Sequence, residues 1–196
     1  MGLTTKQISS ARTVEALFKL LSGELTRLFP PALLRDTDAF LAELRVASCG
    51  LRAMAATYEL DVSMALDDLA WHFVNHHDTR LYEETRLGLR ELEPNEAADL
   101  FEQAFAIIAP RWEELGQLIQ GGTRGGAFHD WLDSTDIQKL IDPLNDKLWR
   151  IIRRNRKHGL MRYWVSYARK YPDRCVGGET PTAGGDNPKS DKLKMK

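Results

Sequence analysis

The densest run of chemically capable side chains in the sequence is WHFVNHHD at 71–78. On a helix, Asp68, His72 and His76 follow one another at four-residue spacing and share one face. Imidazole nitrogens and a carboxylate oxygen are donors that hold zinc, and bound zinc activates water for hydrolysis. His129, within FHDWLD at 128–133, is the fourth candidate ligand, with Asp133, Asp136 and Asp142 near it in the chain. A metal-dependent hydrolase is the chemistry this set implies. The stretch departs from the HExxH pattern, since Asn75 precedes His76 and no glutamate lies inside it. The more ordinary roles are capping, solvation or a satisfied hydrogen bond, and these are the expectation for both clusters. No cofactor is therefore expected, a divalent metal such as zinc being the one candidate.

Other chemistries lack their residues. The glycines of GGTRGG at 121–126 have no Lys-Ser or Lys-Thr to hold phosphate and magnesium, and they follow a helical pattern where a dinucleotide fingerprint needs a strand. No GxSxG elbow is present, and nothing resembles a kinase or deaminase signature. Two cysteines, Cys49 and Cys175, exclude a disulfide scaffold and an all-cysteine metal site. Cys49 reads as a small buried residue of a helix, and Cys175 as exposed ahead of a glycine-rich stretch.

Charge is the second signal. The formal net charge of -1 conceals a division along the chain. Residues 59–114 hold 14 acidic and four basic residues, and residues 150–174 hold nine basic and one acidic. Glu83, Glu84, Glu91, Glu93, Glu96 and Asp99 are the candidate interaction residues of an acidic helical surface. Such a surface steers a basic protein partner toward it. A non-catalytic regulatory or protein-interaction role is the leading expectation. Nucleic-acid binding through Arg150, Arg153, Arg154, Arg156 and Lys157, with Tyr163 and Trp164 nearby, is an alternative. The two charged regions can also meet within one chain or between copies, which leaves a homo-oligomer open.

Helices must position these groups. Apolar residues recur at three- and four-residue spacing in Val14, Leu17, Phe18, Leu21, Leu25 and Leu28, and again from Ile137 to Ile152. Pro30 and Pro31 end the first segment, and Asp36 or Asp38 caps the next. A further helix is read as opening at Asp61 and running through His77. Asp78 caps another, and Pro94 opens a sharper one that Pro110 interrupts. The expectation is an all-α, single-domain bundle of six or seven helices over 1–176, with 177–196 a disordered tail. The sequence has neither a basic start leading into a long apolar run nor 18 uninterrupted apolar residues, so a cytoplasmic protein without a membrane span is expected.

LIDPLNDKLWRII, followed by LMRYWVSYARKYPDR, resembles an uncharacterised bacterial helical family that includes a DNA-mimic protein. Asp142, Leu144, Leu148 and Trp149 match the first part of that pattern, and Tyr167, Tyr171 and Pro172 the second. The stretch from LDDLAWHF to DLFEQAF resembles the family's central helix pair. Where the family has an Asn-Gly-Gly-Phe segment, this chain reads AWHF, with Phe73 at the aromatic position. The resemblance implies an all-helical fold and an acidic surface that occupies a DNA-binding partner.

Overall fold

A computed structural model describes residues 2–122, 126–153 and 159–177. Within them the regular structure is all helix, with no strand. The helices are α1 (Thr5–Ser10), α2 (Val14–Leu28), α3 (Thr37–Val46), α4 (Cys49–Leu66), α5 (Leu69–Asn75), α6 (Thr79–Glu91), α7 (Asn95–Ile108), α8 (Trp112–Gln120), α9 (Gly126–Ser134), α10 (Ile137–Arg153) and α11 (Arg162–Lys170). The all-α, single-domain expectation holds, and the chain divides more finely than six or seven helices. Of the expected tail, 177–196, Gly177 is described and residues 178–196 lie outside the described residues.

Local chemistry accounts for several breaks. Asp36 caps α3 by accepting from the Ala39 amide, and Asp78 caps α6 through the Arg80 amide. Pro110 sits in a 3₁₀ turn, Ala109–Arg111, between α7 and α8. Pro143 lies exposed inside an unbroken α10. The Ser134 and Thr135 hydroxyls donate back to the Trp131 carbonyl at the end of α9.

One expectation is overturned at the centre. Asp61 does not open a helix: α4 runs from Cys49 through Asp61 to Leu66. The Asp61 carboxylate is buried and accepts from the Leu160 amide, so a distant segment satisfies it and no capping role remains.

α4 is the spine. Its first half joins a cluster with α2, α3 and α11 that includes Leu17, Leu21, Leu44, Met54 and Trp164. Its second half, through Leu60 and Met64, joins a cluster with α5, α7, α9 and α10. The α10 stripe of Ile137, Ile141, Leu144, Leu148 and Ile152 is buried along that second core. α6 packs closely on α4 because Gly88 has no side chain: a Cβ there would lie 2.9 Å from the Ala53 carbonyl oxygen. At Gly50, likewise, a Cβ would lie 2.6 Å from the Arg174 carbonyl and 2.7 Å from the Cys175 sulfur. The two cysteines reverse their expected burial. Cys49 starts α4 and is exposed, and Cys175 is buried with its sulfur against Gly50.

Candidate functional site

α5 holds the histidine cluster, and it is too short for the pattern the spacing suggests. It spans seven residues, with Asp68 as N-cap and His76 as C-cap. Asp68 accepts from the Trp71 amide at 2.9 Å, and its other oxygen faces Gln138 of α10. His129 is exposed on α9 and packs edge-on against Trp71. Neither joins His72 and His76. Among the described residues no three His, Cys, Asp or Glu side chains gather closely enough to hold a metal ion. The spacing failed because a cap turns its carboxylate back onto its own helix, not along the histidine face.

The structure does bring His72 and His76 together, with ring centroids 4.8 Å apart. Their carboxylate neighbour is Glu59 of α4, whose Oε2 lies 3.8 Å from His76 Nε2. His72 is only 3% exposed, and its Nδ1 pairs with the Ser63 hydroxyl at 3.0 Å. Burial and the adjacent His76 hold the His72 pKa well below the usual histidine value. Burial also lowers that of His76 and raises that of Glu59. A carboxyl with raised proton affinity thus faces an imidazole with lowered affinity. Their pKa values are driven toward each other, which reduces the cost of moving a proton between them. Both side chains line a cavity of about 100 Å³ with Thr37, Glu84 and Thr85.

Glu59 was not among the sequence candidates. Its signal was the length of α4: in a helix continuing past Asp61, Glu59 and Ser63 stand one turn apart on one face. His77 goes elsewhere, stacking on the Trp112 ring at 4.0 Å and donating from Nε2 to the Trp112 carbonyl.

The acidic residues expected on an interaction surface divide into two groups. Glu84 forms a two-pronged pair with Arg52 and its side chain is 12% exposed. Glu91 accepts from the Tyr167 hydroxyl and from Arg174, and Glu93 pairs with Lys170 of α11 while its side chain stays 50% exposed. These three tie the acidic helices to α4 and to the C-terminal segment. Glu83 pairs with Arg86 and Asp99 with Arg90, yet their side chains stay 47% and 56% exposed. Glu96 is exposed. It lines a groove of about 610 Å³ between α7 and α10 with Asp99, Lys147 and Arg150. Acidic and basic regions therefore meet within one chain. Of the basic tract, Arg154, Arg156 and Lys157 lie outside the described residues, as does the side chain of Arg153.

No helix among the described residues is long and apolar enough to cross a membrane. Comparison with protein-family models, curated proteins and solved structures finds no match.

Proposed function

We propose that this chain is a non-catalytic regulatory protein that docks a basic protein partner through the exposed acids of α6 and α7. The observation that carries the reading is that Glu83, Glu96 and Asp99 keep exposed carboxylates on neighbouring helices. Among the described residues, Arg86 pairs with the first of these and Arg90 with the third. The acidic excess of residues 59–114 supplies the long-range field that raises encounter rates with a cationic surface. Glu84, Glu91 and Glu93 serve the fold in this reading, and the docking face is correspondingly smaller than the six acids suggested.

The test is a capture experiment with the full chain and a triple variant, Glu83→Lys, Glu96→Lys and Asp99→Lys. A basic protein should be retained by the wild type at low salt and released as salt rises. The variant should retain it at least tenfold less while keeping the wild-type circular-dichroism spectrum. Equal retention by the folded variant refutes the docking face.

A further inference from the structure

A second cavity, of about 310 Å³, lies beside the Glu59–His76 chamber. Its walls are mainly apolar: Phe18 and Leu25 of α2, Phe29 just after it, Phe40 of α3, Ala55 of α4 and Trp164 of α11. Ligand pockets have this character and start at about this size. The wall also includes Ser22, whose hydroxyl is buried without a hydrogen-bond partner among the described residues.

The two cavities share a floor and a partition. Ala55 and Tyr58 of α4 line the larger, while Ala56 and Glu59, the next residues on the same helix, line the smaller. Leu34 and Phe40 line both. Leu34 belongs to the 3₁₀ turn Leu33–Arg35, in which no residue is buried. Leu34 and Phe40 thus form the partition between an apolar chamber and an acidic one.

Charge selects the occupant. Within ion-pairing distance Glu59 meets only the His76 imidazole among the described residues, with no lysine or arginine. Glu84, on the same smaller cavity, adds a second carboxylate, although Arg52 pairs with it. A ligand carboxylate would be repelled there, and an ammonium group would supply the missing cation. At about 30 Å³ for a water-sized group, the larger cavity accommodates roughly ten such groups.

We propose that the two cavities form one bipartite site for an amphipathic primary amine. Its apolar tail lies against Phe18, Phe29 and Trp164, and its ammonium against Glu59 and His76. The site is separate from the docking face and uses none of Glu83, Glu96 or Asp99.

Isothermal titration of the full chain with n-octylamine, 1-octanol, octanoate and ethylamine tests this. Octylamine should bind, octanoate and ethylamine at least tenfold more weakly. Glu59→Gln should weaken octylamine at least tenfold and leave octanol unchanged. Ala55→Phe, which fills the larger cavity, should abolish binding of both. Should that variant lose its helical spectrum, Ser22→Leu fills the same cavity from α2 and should give the same loss. The proposal is overturned if octylamine shows no binding, if octanoate binds as tightly, or if either Glu59→Gln or the folded cavity-filling variant leaves octylamine affinity intact.

Discussion

His72 is a titratable group held in the core. Its ring packs edge-on against Phe73 and Phe101, and burial together with His76 opposes its protonation. The unfolded chain titrates near the ordinary value of 6.5, so below that pH it binds more protons than the folded chain. Stability therefore rises with pH up to about 6.5 and falls on acidification below it. Glu59 and Asp61 act in the opposite sense. Burial raises their pKa, so they favour the fold at low pH and oppose it as pH rises through their folded values. His72→Gln isolates the histidine. Between pH 7 and 5 its unfolding free energy should fall less steeply than the wild type's, by up to about 1.4 kcal/mol per pH unit for one proton. Parallel pH profiles in urea denaturation would refute the linkage. His72 was visible in the sequence as a candidate, but its partners Ser63 and Glu59 were not, because they lie on another helix.

At the scale of elements, α5 shows how a short helix is held. Its leading amides are satisfied from two directions: Asp68 accepts from Trp71, and buried Asn145 of α10 accepts from Leu69. Asp68→Ala should cost about 0.5–2 kcal/mol, the usual loss of an N-cap, and Asp68→Asn should retain most of the stability. Thermal unfolding with and without a zinc chelator distinguishes this from ligation. A cap predicts the same loss in both conditions, and a chelator-dependent loss would contradict it. Caps at Asp36 and Asp78 were legible because an acidic residue stood directly before a periodic apolar run. The α4–α5 break was not, since Asp61, Asp67 and Asp68 are all plausible caps by type. Burial of Asp61 against Leu160 removed the first from contention.

Over the whole molecule, the acidic and basic regions close on each other. Lys170 meets Glu93 and Arg174 meets Glu91, across a sequence separation no local pattern reveals. Glu93→Gln should lower Tm at low ionic strength. The difference should vanish near ~1 M salt, where the Debye length is about 3 Å. A loss unaffected by salt would assign Glu93 a packing role instead of an electrostatic one. The pairing also offsets part of the charge division that is so sharp in the sequence, because these acids are matched by cations of the same chain.

The sequence by itself determined the helical class, most of the buried stripes and the near-neutral charge, because periodicity and composition are properties of the chain. Tertiary structure decided which acids remain open to solvent, which cysteine is enclosed and which carboxylate stands beside His76. Those depend on contacts between residues far apart in the chain. Asp68 and Glu59 have similar carboxylates. One is turned onto its own helix as a cap, while the other is carried to the histidines by the uninterrupted length of α4.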